Sequence, residues 1–468
     1  MKHIIKTVKN HITLLAMAMG MAGALLSGCE SFLETEQPIG QIDNALIFED
    51  EALANAAITS MYSKLRDEAL VTGGYNGMGY LMGLYADELN YHSLPGLPNE
   101  NFYLHQVTAS NEIVRIVWNN AYSLVYMANS ALEGLENAQD LPVDTKAQLK
   151  GEALFIRALV HFYLLNIFGD TPYIKGTDAS VNQNAMRMEI DMVYDNILDD
   201  LQQSWDLLTP SYPGAERTRA NRFVVSALRA RVYLYTAQWE LAENESSFLI
   251  DGAGNYTLEE NVMDEFLKGS TSAILQLKPP AEGRNTSEGQ LLNFSFGPPF
   301  NVALNPNLVA SMAPDDLRKQ YWIKEVSNGT QSWYAATKYK ETQKTGISKE
   351  YSIVFRIAEQ YLIRAEARVN LRDFQGAKED INVIRERAGL QPTTANSFDD
   401  LMETLMKERR FELFTEHGHR WFDLRRTGMA EDILSPIKLN WRPTHILWPL
   451  PERELSANRN LTPQNPGY

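Results

Sequence analysis

Cysteine occurs once in 468 residues, so no internal disulfide can form and no cysteine-built zinc site is available. The fold must rest on packing. Histidine is scarce, with 8 residues, and basic runs are missing: 43 Lys plus Arg face 59 Asp plus Glu, a net charge of −16. That field repels DNA and RNA, and nothing local overcomes it, which speaks against nucleic acid as a partner. There is no phosphate-binding P-loop, no Gly-x-Ser-x-Gly elbow and no His-Glu-x-x-His helix. The glycines at 73, 74, 77 and 79 are ordered differently from a dinucleotide fingerprint and read as a flexible loop. No cofactor is implied and no catalytic residue is assigned. Beyond the N-terminal segment, no stretch approaches 18 uninterrupted apolar residues, so nothing else suggests a spanning helix.

What is present begins with a secretory signal over residues 1–28: Lys2, Lys6 and Lys9 lead an apolar stretch from Ile12 to Leu26 that is too short to span a bilayer. Leu26-Ser27-Gly28-Cys29 then reads as a bacterial lipobox, with Cys29 as the lipidated residue. Each buried methylene contributes about 0.8 kcal/mol, so a multiply acylated Cys29 would anchor the chain stably. Removal of residues 1–28, which hold three lysines and no acidic residue, takes the charge from −16 to −19. Residues 29–43 form the expected tether, with Glu30, Glu34 and Glu36 close behind the anchor. Those three are either a solvated acidic stretch or a surface-export signal.

Amphipathic helices dominate the remainder, over 44–68, 111–138, 145–168, 187–208, 220–250, 352–371, 373–388 and 398–418. Tetratricopeptide units place small residues where paired helices cross, with an aromatic three residues before the second. Ala365, Phe374 and Ala377 fit, as do Ala230, Trp239 and Ala242; coincidence among alanine-rich helices is the alternative. Over 270–350, repeated Pro and Gly leave only short extended candidates such as 273–278. The expected architecture is therefore mainly α: a tetratricopeptide-like helix-pair scaffold, 44–269 and 351–468, carrying a loop-rich lobe at 270–350 with a few short strands.

His417 and His419, beside Glu416 and Asp423, could hold a metal. Arg409, Arg410, Arg420, Arg425 and Arg426 lie among them, however, and a salt-bridge network with Glu408, Glu412, Glu416 and Asp423 is the better account, so no metal is assigned. Acidic pairs such as Asp199-Asp200 and Asp315-Asp316 could serve glycoside hydrolysis, but adjacent helical residues point about 100° apart and more often form a solvated face or a cap. Aromatics offer a binding function instead, since sugars present apolar C–H faces ringed by hydroxyls. One cluster holds Tyr75, Tyr80, Tyr85 and Tyr91 near Asn76, Asn90 and Asn99; a second holds Trp322, Trp333, Tyr334 and Tyr339. From these, Tyr75, Tyr91, Trp322, Trp333 and Tyr334 are the candidate substrate-binding residues.

The runs Phe355–Ala367 (FRIAEQYLIRAEA), Glu408–Arg426 (ERRFELFTEHGHRWFDLRR), Leu447–Pro451 (LWPLP) and Asn458–Tyr468 (NRNLTPQNPGY) closely resemble the SusD/RagB family. Glu152–Pro172 (EALFIRALVHFYLLNIFGDTP) is similar to that family's N-terminal half. His417 departs from the pattern, where an apolar or glycine-rich neighbour is commoner. The resemblance implies a Bacteroidetes outer-membrane lipoprotein facing the exterior, a lid on a SusC-type TonB-dependent transporter that captures glycans without catalysis. A peptide-binding lid of the same type, or a surface glycoside hydrolase, are the alternatives. The matching motifs belong to the scaffold, so the resemblance assigns no substrate residue.

Overall fold

The computed structural model describes residues 44–253 and 255–468, and Ile47–Tyr468 form one unit. The signal segment, Cys29 and the tether lie outside the described residues. At the centre of this unit is helix α4 (Val143–Phe168), in which every residue from Gly151 to Phe168 is buried. Helices α3 (Glu112–Asn137) and α5 (Ile190–Leu207) pack along it. A helix apolar all round is stable only when covered on all sides, and its polar residues must then be paired. They are. Arg157 forks onto Asp200 at 2.7 and 2.6 Å and reaches Asn129 Oδ1 at 2.7 Å, while Arg219 forks onto Glu152 at 2.9 and 2.6 Å.

The paired helices follow. In α6 (Arg222–Tyr235) and α7 (Trp239–Phe248), and again in α8 (Ile357–Asn370) and α9 (Phe374–Arg387), Ala230, Ala242, Ala365 and Ala377 are fully buried at the crossings. Small side chains there let the axes approach closely. The two pairs are joined by Arg231, whose guanidinium forks onto Glu359 with both bonds at 2.7 Å. Helix α10 (Phe398–Leu413) closes this end, capped by Ser397 Oγ, which accepts from Asp400 N at 3.2 Å. The architecture is a helical, tetratricopeptide-like scaffold with a few short strands, as expected.

Three predicted segments differ. The 220–250 helix breaks at Thr236–Gln238, where Ala237 takes φ +53° and starts the turn between α6 and α7. The 352–371 helix opens instead with a strand, Ser352–Arg356, whose β-branched and aromatic residues pair antiparallel with the expected strand Ala273–Leu277. The 398–418 helix ends at Leu413, and the chain turns through positive φ at Thr415, His417 and Gly418 before α11 (His419–Arg426). This turn lets Lys338 Nζ donate to Glu412 O, Phe414 O and Glu416 Oε1 at 2.7, 2.9 and 2.6 Å.

Four of the five arginines flanking this turn pair with carboxylates, but Asp423 is the one expected partner they take, and Glu408, Glu412 and Glu416 pair instead with Arg318, Lys338, Arg356, Arg385 and Arg387. Arg409 and Arg426 hold Asp423, but Arg410 and Arg420 reach Asp87, and Arg425 reaches Asn166. Beside Asp87, Glu88 is buried; its Oε2 accepts from Thr415 N at 3.2 Å and its Oε1 has no partner among the described residues. Burial outweighs that N–H and, with the charge of Asp87 adding to it, pushes the Glu88 carboxyl up to about 7. A carboxyl raised in the folded state contributes stability that is fully present below its ordinary value of 4.5 and is lost as pH rises through 7. This one group is expected to withdraw about 3 kcal/mol between pH 4.5 and 8. Urea unfolding across that range should show a shallower fall for Glu88→Gln than for wild type, and parallel curves would refute it.

Candidate functional site

The glycine-rich stretch at 73–79 divides between loop and helix. Gly77 opens helix α2 (Met78–Tyr85), and a Cβ at Gly79 would stand 2.5 Å from Thr415 O, so that glycine serves helix packing. After α2 the chain enters strand β1 (Leu89–Tyr91), which pairs antiparallel with β2 (Val302–Leu304); β2 then pairs with β4 (Ser332–Ala336), and β4 with β3 (Ile323–Ser327). This sheet joins the two aromatic clusters, which are more than 200 residues apart in sequence. Tyr91 lies on β1, and Trp333 and Tyr334 lie on β4.

Strand alternation separates them again, because successive side chains point to opposite faces. Leu89, Tyr91, Leu304 and Tyr334 pack toward the main hydrophobic core. Asn90, Ala303 and Trp333 line the other side, a groove of about 500 Å³ that also takes in His92, Pro298 and Gln331. Tyr91 is further occupied by donating its hydroxyl to Leu94 O at 2.8 Å. Trp322 does not reach the surface at all. It is 0% exposed, its indole N–H donates to Val262 O at 2.7 Å, and its ring packs edge-on to Phe266. The expectation of a Trp322 platform is therefore corrected: it precedes β3 on the core side.

Two other expected residues are accessible. Trp333 is half-buried at the groove, against Gly297, where a Cβ would come within 2.4 Å of the indole; only glycine allows this approach. Tyr75 is 49% exposed, with its hydroxyl on Asn301 Oδ1 at 3.1 Å and its ring edge-on to Tyr80. Tyr80, Tyr85 and Tyr339 are core residues. Sequence reasoning missed Phe296 and Phe300, which are 63% and 72% exposed with ring centroids 5.6 Å apart. Their signal was available, since two phenylalanines flanking Gly297-Pro298-Pro299 cannot both turn inward from so tight a loop.

The polar groups in the groove are free to bind. The side chains of Asn90, His92 and Gln331 make no hydrogen bond to another described residue. Burial lowers the His92 pKa, so the ring is neutral at pH 7, and no other ionisable residue lines the groove. An aromatic face beside uncharged donors and acceptors suits a neutral polyhydroxylated ligand better than an ion. No group of three or more potential metal-ligating side chains occurs among the described residues.

Compared with known proteins, residues 31–234 match a family described as "Starch-binding associating with outer membrane", and residues 315–468 match the SusD family. "SusD-like protein P2" of Formosa agariphila is 27% identical, over 95% of this chain and 97% of its own. A SusD superfamily protein from Bacteroides vulgatus superposes with a TM-score of 0.79 at 21% identity, covering 90% of this chain and all of that one. A structure described as a laminarin-binding SusD-like protein superposes with a TM-score of 0.75 at 20% identity, covering 90% of this chain and all of that one.

Proposed function

Since the chain belongs to the SusD/RagB family, we propose that it is a cell-surface glycan-binding lipoprotein, held at the outer membrane through Cys29. It captures a neutral oligo- or polysaccharide in the groove beside Trp333 and delivers it to a SusC-type TonB-dependent transporter. The observation that supports this reading is the groove itself, with one indole face and three unpaired uncharged polar side chains, and exposed Phe296 and Phe300 lie in the same loop as its Pro298. The family supplies the rest of the reading, since SusD-like proteins include one described as laminarin-binding. The overall charge of −16 adds a field that slows the approach of polyanionic glycans. The lobe at 270–350, together with β1, carries the ligand, and the helices carry the lobe.

Calorimetric titration of the full chain with laminarin and a panel of neutral oligosaccharides tests this. Saturable binding to at least one is expected, without release of reducing sugar. Saturable peptide binding in the absence of any glycan binding would instead make the protein a peptide lid, and sugar release would make it a hydrolase.

A further inference from the structure

A second concavity, of about 560 Å³, lies among the helices and shares no residue with the groove beside Trp333. One wall is the outer face of α3, with Trp118, Asn119 and Tyr126; the others are the strap 172–185 and the C-terminal helix α12 (Glu452–Ala457). The walls are fixed by hydrogen bonds. Asn129 Nδ2 donates to Ile174 O at 3.0 Å, Tyr122 OH donates to Pro172 O at 2.9 Å, and Asn458 Nδ2 donates to Ala185 O at 2.7 Å. The space is therefore built before any ligand arrives, and preorganisation lowers the cost of binding.

The inward groups are complementary to one class of molecule. Trp118 is only 4% exposed, yet its indole N–H has no hydrogen-bond partner among the described residues. Glu454 is half-buried and has no salt bridge or side-chain hydrogen bond among the described residues. The amides of Asn119 and Gln183 are likewise unpaired. Tyr126 is 54% exposed and presents an uncovered ring. An anion would meet Glu454 with no lining Lys or Arg to offset it, a simple cation would leave the indole N–H unmet, and a hydrocarbon would strand every polar group. Hydroxyls both donate and accept, and a pyranose carries them around an apolar face.

We infer that this helical concavity is a second saccharide-binding site, sized for one or two sugar rings, in which Tyr126 stacks on the ring while Trp118 donates to, and Glu454 accepts from, its hydroxyls. A pocket of this size lies within the range that holds small ligands. The inference shares the class of ligand with the preceding reading but stands on its own residues.

The test uses the full chain carrying Trp333→Ala and Phe300→Ala, which removes the sheet groove's platforms, with saturation-transfer NMR against laminaribiose, maltose and cellobiose. Transfer to at least one disaccharide is expected to persist in this background, to be lost when Tyr126→Ala is added, and to weaken several-fold with Glu454→Gln. Absence of transfer from the groove-less chain, or transfer that survives Tyr126→Ala, overturns the second site. Failure of the first reading looks different: laminarin titration of the otherwise wild-type chain would be unchanged by Trp333→Ala.

Discussion

Glu412→Ala is expected to lower the unfolding free energy by about 3–5 kcal/mol, because it strands buried positive charge. Glu412 Oε1 accepts from Arg356 Nη1 at 2.6 Å and from Arg387, and its Oε2 accepts from Arg318 at 3.3 Å. Around it, Glu265, Asp316, Glu408 and Glu416 complete the anions that face Arg318, Lys338, Arg356, Arg385 and Arg387. Five carboxylates thus meet five cations, and deleting one leaves a net charge where water cannot reach. Burial alone would raise the Glu412 pKa; the charges of Arg387, Arg356 and Arg318 outweigh it and hold the carboxyl far below the ordinary range. A carboxyl depressed in the folded state contributes stability present above its ordinary value of 4.5, which is lost as pH falls below it. Urea unfolding at pH 7 and pH 4 should therefore show wild type losing more on acidification than Glu412→Ala. Equal losses, or a cost at pH 7 below about 1 kcal/mol, would mean that the remaining carboxylates neutralise the arginines unaided.

Much of this core could be read from sequence. The helices, the buried alanines at 230, 242, 365 and 377, and the pairing of Arg409 and Arg426 with Asp423 follow from period, residue size and charge alone. The pairings of Arg410 and Arg420 with Asp87 do not, since they join residues more than 300 positions apart. The candidate site was legible to a lesser degree. Composition located the aromatics, but which of them meets solvent depends on strand register, and a shift of one residue exchanges the faces. Tyr91 and Tyr334 turned inward for that reason, while Trp333, beside Tyr334 in sequence, turned outward. The strand at Ser352–Arg356 was hidden because its partner, Ala273–Leu277, lies some 75 residues away.

Trp322 and Trp333 allow the two roles of tryptophan in this lobe to be separated. Trp322→Ala is expected to cost about 3–5 kcal/mol of stability, the range for emptying a core aromatic site. The loss extends to the ionic cluster, because Lys338 Nζ lies 5.1 Å from the Trp322 ring centroid and 3.9 Å from that of Phe414, while the guanidinium of Arg387 lies 5.5 Å from Trp322. Trp333→Ala removes a half-buried ring that packs on Gly297, so the unfolding free energy from urea titration should fall by about 1 kcal/mol or less. Its effect falls on the ligand. Burial of one aromatic face against a sugar contributes about 1.5–3 kcal/mol, or roughly a 10- to 150-fold change in Kd, and Phe300→Ala should add to it. The two variants should therefore exchange phenotypes: Trp322→Ala unstable but, at temperatures where it stays folded, near wild type in laminarin affinity, and Trp333→Ala stable but weakly binding. If Trp333→Ala binds within twofold of wild type, the groove is not where the glycan lies.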